Sequence, residues 1–142
     1  MSSPLTGAVR QALEAGHLAH LVTVGADGGP HVSIVWVGLD GDEVVCAHLD
    51  TRQKKLRNVA GDPRVALSME TGGRNEFGLD HYLVVYGTAR VTEGGGPELL
   101  QRLARVYLGP DVRFPPMPDP PPGVVMRIAV DRVAGVGPWK EQ

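Results

Sequence analysis

The chain has 142 residues and carries 14 lysines and arginines against 16 aspartates and glutamates, a formal net charge of −2. This length is typical of one domain, so we expect residues 1–142 to fold as a single unit. The balanced charge argues against nucleic-acid binding, and no apolar run approaches the ~18 residues of a membrane span. One cysteine excludes an internal disulfide and a cysteine-rich zinc site. Because the N-terminus also lacks a signal-peptide pattern, we expect a cytoplasmic protein.

Glycine and proline are abundant, with 19 and 12 residues, whereas the chain has only 2 tryptophans, 3 tyrosines and 2 phenylalanines. Frequent glycine and proline predict short strands separated by turns. So few aromatic residues argue against a deep, enclosed ligand cage within one subunit.

The first half of the chain predicts a helix within the N-terminal segment 1–16, three strands joined by tight turns, and a second helix. Pro4 suits the first position of the opening helix. Asp27-Gly28 is a strong hairpin signal, and we expect the three strands to form a meander. Thr51, or Asp50 before it, is expected to cap the second helix. The predicted bounds are 4–15 and 51–60 for the helices, and 17–24, 31–37 and 43–48 for the strands.

The second half predicts three more strands, a third helix and a long connection. Gly87 in the fifth strand marks a bulge or a bend. Residues 71–79 are polar and glycine-rich and predict a loop, while the seven prolines of 109–123 predict a stiff crossing segment before a last strand and the tail 134–142. Six strands joined by tight turns predict an antiparallel sheet that closes into a small barrel. The predicted bounds are 64–70, 81–91 and 124–133 for the strands and 97–108 for the helix.

The densest charged feature lies at the start of the second helix, where four cations fall within six residues: Arg52, Lys54, Lys55 and Arg57. Asn58 lies beside them. The N-terminus of a helix has unpaired N–H groups that attract anions, and cationic side chains add affinity for phosphate. The same residues are also consistent with a solvated helix face.

A second candidate is the strand His31-Val-Ser-Ile-Val-Trp36. Ser33 offers a hydroxyl among apolar neighbours, and Trp36 offers a flat ring to a ligand. Taken alone, the pattern favours a core strand with one polar residue.

The five histidines do not indicate a metal site. His17 and His20 are three residues apart, a spacing that places them on opposite sides of a strand, and no carboxylate pair or second cysteine accompanies them. Cys46 lies inside an apolar strand and is interpreted as a small core residue. The sequence contains no nucleophile elbow, phosphate-binding P-loop or dinucleotide loop, so no catalytic residue is assigned.

Five stretches of the sequence, taken together and in their order along the chain, resemble the pyridoxamine 5′-phosphate oxidase-like split β-barrel superfamily. The pattern Lys-x-x-Asn-x-x-x-Asp-Pro-Arg is most similar to the branch of coenzyme F420-dependent (deazaflavin) oxidoreductases typical of actinobacteria. The stretches are Asp27–Ser33, Lys55–Asn58, Asp62–Leu67, Val85–Val91 and Asp131–Gly135.

The resemblance implies a mainly β fold with short helices, a six-stranded antiparallel split β-barrel, and a homodimer with its cofactor at the interface. It implies that the cofactor ring lies along the second and third strands, and that its phosphate binds at the helix start from Thr51. Lys55 matches the family's phosphate contact and Asn58 its polar partner. Gln53 stands where relatives often carry a basic residue, a departure for which Arg52 and Lys54 compensate. The implied ring contacts are the backbone of Val32, Ser33, Ile34, Val35 and Trp36.

The resemblance further implies an enzyme that transfers hydride from reduced F420 to a small, planar, conjugated acceptor. Two alternatives stay open: an FMN-binding flavoprotein of the same fold, and a non-catalytic F420-binding or storage protein. F420 carries an acidic oligoglutamate tail that needs an open basic groove, whereas FMN ends at its phosphate. True pyridoxamine phosphate oxidase activity is not expected, since the longer substrate-binding segment is missing. Trp139 either closes over the ring of its own or the partner's cofactor, or simply packs.

Overall fold

The computed structural model describes residues 3–140, which contain three helices and seven strands. The helices are α1 (Gly7–Glu14), α2 (Lys54–Gly61) and α3 (Gly96–Tyr107). The strands are β1 (Ala19–Val24), β2 (Pro30–Val35), β3 (Gly38–Asp40), β4 (Glu43–His48), β5 (Arg64–Arg74), β6 (Asp80–Glu93) and β7 (Val124–Val136). Within this part of the chain, no helix is long and apolar enough to cross a membrane.

All seven strands belong to one antiparallel sheet with the order β2-β1-β5-β6-β7-β4-β3. The first and last strands of that order, β2 and β3, are separated in sequence only by Trp36 and Val37. The sheet must therefore curl until its two edges come together, as predicted for a small barrel. The predicted meander is wrong: β4 pairs with β7 and β3 and does not pair with β2.

The predicted count of six strands is also wrong, because Gly38–Asp40 forms a short strand that pairs with β4. The sequence interpretation had placed this segment in a turn. A second difference concerns residues 71–79, where β5 continues through a register shift to Arg74 and leaves only a tight hairpin turn. Gly72 and Gly73 adopt positive φ in that irregular stretch, which explains why a glycine pair fits inside a strand.

The bulge predicted at Gly87 is confirmed, since the register between β6 and β7 shifts between Tyr86 and Gly87. A Cβ atom at Gly87 would lie 2.5 Å from the carbonyl oxygen of Ala129. The two backbones approach so closely there that only glycine fits.

The core lies inside the curled sheet and is formed by fully buried aliphatic side chains, with α1 contributing Val9 and Leu13. Helix α1 begins at Gly7, after the cap Thr6, and so does not include Pro4 as its first residue. The Thr6 side chain accepts a hydrogen bond from the Val9 N–H group, which fixes the later start. The largest buried side chains of the strands are Leu21, Leu67, Met69, Leu83, Met126 and Ile128.

The proline-rich segment 109–123 is held against α3 and the barrel by side chains. Gln101 donates to the Val112 carbonyl (2.9 Å) and accepts from the Phe114 N–H group (3.0 Å). The Phe114 ring lies 5.2 Å from the Trp36 ring, which also stacks on Tyr107 at 5.3 Å.

Candidate functional site

Helix α2 begins without a side-chain cap. Its N-cap residue is Gln53, whose side chain makes no capping hydrogen bond. The predicted cap by Thr51 or Asp50 is wrong, because the helix begins only after Gln53. The Asp50 carboxylate instead accepts hydrogen bonds from the Arg52 N–H group (3.0 Å) and from its Nε (3.1 Å). The N–H groups of the first helical turn therefore have no capping side chain, which favours an anionic ligand at this end.

The four predicted cations of this region fall into three different environments. Arg52 is exposed and forms an ion pair with Asp50, and hydrogen bonding from Arg52 lowers the pKa of that carboxyl. Lys54 and Arg57 are exposed on one face of α2. Lys55 is half-buried on a different side of the helix. The basic cluster is thus not one uniform solvated face.

The ammonium charge of Lys55 lies near enough to Cys46 and His48, in the last part of β4, to lower the pKa of both groups. Burial lowers the pKa of the Lys55 ammonium group. Within residues 3–140, Lys55 has no ion pair and its ammonium group has no hydrogen bond. Since withdrawing a cation from water without a partner is unfavourable, this position suits a bound anion.

Cys46 and His48 form a buried, neutral pair, with Sγ and Nε2 3.4 Å apart. Burial, with a smaller contribution from the nearby Lys55 charge, lowers the pKa of His48 to about 4. Burial likewise raises the pKa of Cys46 to about 12, so the thiolate nucleophile is suppressed. The interpretation of Cys46 as a small core residue is confirmed by its burial.

Strand β2 presents its polar side chains inward and its apolar ones outward. His31 and Ser33 alternate with Val32 and Ile34, which are 59% and 58% exposed. The buried atoms Nδ1 of His31, Oγ of Ser33 and Oε1 of Gln53 have no hydrogen-bond partner in residues 3–140. Buried polar atoms are almost always paired in folded proteins. Both predicted segments therefore contain polar atoms that a ligand would satisfy.

A hydrogen bond ties α2 to the strand beside β2. Asn58 is buried, and its Nδ2 donates to Oγ1 of Thr23 at 3.0 Å. Thr23 stands directly opposite His31 in the pairing of β1 with β2. The helix start and β2, predicted from separate motifs, thus lie next to each other. The sequence-based prediction missed Thr23. The signal that could have found it is a single polar residue at an inward position of an apolar strand.

The exposed cations of α2 line a groove of about 760 Å³ between the helix and the β1–β2 turn. Lys54 and Arg57 stand on one wall, and the turn from Gly25 to Gly28 forms the other. Arg64 also lines the groove but is paired with Asp62, where hydrogen bonding from Arg64 lowers the pKa of the carboxyl to about 2. Lys54 and Arg57 are therefore the cations that remain to attract an acidic ligand.

A family model described as pyridoxamine 5′-phosphate oxidase matches residues 5–137. The chain belongs to the pyridoxamine 5′-phosphate oxidase family. No curated protein matches the sequence.

Solved structures support the same fold for this family member. An F420 reductase is 26% identical, with a TM-score of 0.71, and the match covers 88% of this chain and 94% of that one. A conserved hypothetical protein from Mycobacterium tuberculosis is 22% identical over 95% of this chain and 84% of that one, with a TM-score of 0.68. A heme binding protein from Mycobacterium smegmatis is 21% identical over 99% of this chain and 57% of that one, with a TM-score of 0.62. The predicted split β-barrel is confirmed, with seven strands.

The two tryptophans of this family member both make extensive contacts within their own chain. Trp36 stacks on Tyr107 with an interplanar angle of 13° and is tilted against Phe114. Trp139 is buried in the core, and its Nε1 donates to the Tyr82 carbonyl at 2.9 Å. The predicted role of each in cofactor binding stays a prediction, and for Trp139 the structure favours the packing alternative.

Proposed function

We propose that the protein is an F420-dependent oxidoreductase that reduces a small, planar, conjugated acceptor. The observation that carries the proposal is the half-buried Lys55, which lacks an anionic partner at the uncapped start of α2. Family membership and the 26% identity to an F420 reductase supply the chemical context.

Lys55 and the first N–H groups of α2 are the proposed phosphate site, with Thr51 and Gln53 at its border. A phosphate there would supply the counter-ion that Lys55 lacks. Gln53 lies at the N-cap, where its carboxamide N–H groups are the donors that it would offer to a phosphate. Asn58 serves in this arrangement as a positioning residue, since its hydrogen bond to Thr23 fixes α2 against the sheet.

The cofactor ring is proposed to lie along β2, from Val32 to Trp36. Polar atoms at the ring edge would satisfy Nδ1 of His31 and Oγ of Ser33, which have no partner within residues 3–140. When bound, reduced F420 supplies a hydride to the acceptor. The protein's part is to bind both molecules, orient them and exclude water, which requires no protein nucleophile.

The choice of F420 over FMN rests on the groove beside α2. Lys54 and Arg57 face this groove and form no ion pair within residues 3–140, although Asp27 lines the opposite wall. An oligoglutamate tail extending from the phosphate would meet these two cations, whereas FMN has no group to place there. Arg52, which is paired with Asp50, contributes less.

We further propose a homodimer that completes the site. The outward face of β2 exposes Val32 and Ile34, and Leu18, just before the adjacent strand β1, is 54% exposed. Such an apolar surface is typical of a protein–protein interface. Because the proposed ring contacts follow the backbone of the same strand, a second copy at this face would lie beside the cofactor. A cytoplasmic location remains part of this proposal.

The cofactor assignment is tested by titrating the purified protein with F420 and with FMN and following the fluorescence of each. Tighter binding of F420 is expected, and the difference should shrink as salt screens the groove. Equal or tighter binding of FMN would overturn the choice of cofactor.

Turnover separates an enzyme from a storage protein. Reduced F420 is mixed with a quinone such as menadione, and its oxidation is followed by absorbance with and without the protein. An oxidation rate that is proportional to protein concentration supports the enzyme. Tight binding without any acceleration by the protein across quinone and enone acceptors would favour storage.

A further inference from the structure

A separate cavity of about 280 Å³ lies between α1, the β5–β6 hairpin and the C-terminal tail. Helix α1 and its C-cap residue line it with Ala8, Ala12 and Ala15, whose short side chains leave the space open. Pro138 and Trp139 form the opposite wall. Apart from Trp139, none of the predicted cofactor contacts lines this cavity.

Four polar side chains from four different segments meet in this cavity: Gln11, His17, Thr71 and His81. The hydroxyl oxygen of Thr71 is buried and has no hydrogen-bond partner in the described chain. The side chains of the other three make no hydrogen bond with each other or with any other residue from 3 to 140. Gln11 is exposed and His17 and His81 are half-buried, so water reaches these three side chains, whereas the buried Thr71 hydroxyl is the group that a polar ligand in the cavity would satisfy.

The chemistry of the lining restricts the ligand. Among residues 3–140, no aspartate, glutamate, lysine or arginine lines the cavity, so hydrogen bonds and not ion pairs would hold a ligand there. A hydroxyl, a carboxamide and two imidazoles all donate hydrogen bonds, which suits a carboxylate. The alanine methyl groups and the indole of Trp139 provide apolar walls for a flat body.

We propose that this cavity is a second binding site, specific for a small planar carboxylic acid. The carboxylate accepts hydrogen bonds from Thr71 and the two histidines, and the flat body lies against α1. The site is independent of the proposed cofactor, so its test uses the ligand-free protein and does not depend on F420 binding.

Benzoate is the probe, and binding is followed by the indole N–H signals of the protein in nuclear magnetic resonance spectra. Trp139 lines the cavity and Trp36 does not, so the two indoles provide a reporter and an internal control. The Trp139 signal should shift and saturate with a Kd on the order of 1 mM, as expected for so small an acid, while the Trp36 signal stays in place.

Thr71→Val keeps the shape of the side chain and removes only the hydroxyl, and His81→Ala removes one imidazole. Each should weaken benzoate at least about tenfold, the effect of one hydrogen bond to a charged group. His20→Ala removes an exposed histidine outside the cavity and should leave the affinity unchanged. Thermal unfolding of each variant confirms that it is folded.

Two outcomes would overturn the proposal. One is the absence of a saturating shift of the Trp139 signal in the folded wild-type protein. The other is equal benzoate affinity in wild type, Thr71→Val and His20→Ala, which would show that the acid binds elsewhere.

Discussion

Two regions of the molecule, both predicted to bind a cofactor, use their polar groups in opposite ways. Beside Trp36 the Tyr107 hydroxyl is fully paired: it donates to the His17 carbonyl at 2.6 Å and accepts from the Val37 N–H group at 3.0 Å. At the start of α2, Lys55 has no partner in residues 3–140 and the Gln53 carboxamide oxygen is buried and unsatisfied.

The difference distinguishes residues that stabilise the fold from residues whose polar groups gain a partner only when a ligand binds. Groups whose contacts are complete contribute to the free energy of unfolding, and their loss is measured in the ligand-free protein. Buried groups without partners do not stabilise the ligand-free protein, because burying them is unfavourable. Their contribution appears in the affinity for a ligand that pairs with them. Substitutions in the two regions should therefore affect different measurements.

The largest expected effect is the loss of stability in Trp36→Ala. This change removes the ring that stacks on Tyr107 and contacts Phe114, and it should lower the free energy of unfolding by about 3–4 kcal/mol. Urea denaturation measures it, with Trp36→Phe as the milder control. A loss of F420 affinity in Trp36→Phe at unchanged stability would contradict the structural role and show that the Trp36 side chain contacts the cofactor.

His48 should make stability depend on pH between about 6.5 and 4. Burial lowers its pKa from 6.5 to about 4, so both states are neutral above pH 6.5. As the pH falls below 6.5, only the unfolded chain gains the proton, and up to about 3 kcal/mol of stability is lost by pH 4.

Comparing His48→Leu with wild type isolates this contribution, because the difference in unfolding free energy between the two should grow in favour of the variant as the pH falls. His20→Leu, at an exposed position, serves as the control. A difference that stays constant from pH 7 to pH 4 would show that His48 is not held neutral.

A smaller effect is expected where α3 holds the proline-rich segment. Gln101→Ala removes two hydrogen bonds to the backbone of Val112 and Phe114 and should cost about 1–2 kcal/mol in unfolding free energy. Arg105→Ala, on an exposed face of α3, should change it by less than ~0.5 kcal/mol. If both variants unfold at the same urea concentration, the Gln101 contacts do not contribute to stability.

The smallest effect concerns the groove cations. Lys54→Ala or Arg57→Ala should each weaken F420 about two- to threefold at low salt and leave FMN unaffected, because exposed charges act weakly and are screened. Arg52→Ala, which removes a cation already paired with Asp50, should change F420 affinity less. An equal effect of all three on both cofactors would place the acidic tail elsewhere.

The sequence predicted local features well and long-range pairing poorly. The Asp27-Gly28 turn is present, with Gly28 at φ 82°, and the bulge at Gly87 lies where it was expected. Both depend on the backbone freedom of a single glycine, which is visible in the sequence. The partner of β4 is β7, about 80 residues further along the chain, and no local pattern encodes that pairing.

The candidate site shows the same limit. The residue types at the start of α2 were sufficient to predict an anion site, since a helix N-terminus and nearby cations have known chemistry. The direction of each side chain was not predictable, because it depends on where the helix begins. The start at Lys54, three residues later than expected, turns Lys55 inward and leaves Lys54 and Arg57 facing the groove.

The most direct test of the central claim compares Lys55→Met with Lys54→Met. F420 affinity is measured by fluorescence titration, and the free energy of unfolding by urea denaturation without ligand. Lys55→Met should raise the Kd for F420 at least about tenfold, as expected for the loss of a charge-assisted hydrogen bond, with unchanged or higher stability. Lys54→Met should change both values little. An unchanged Kd in Lys55→Met, together with a loss of stability, would show that Lys55 supports the fold and does not hold a phosphate.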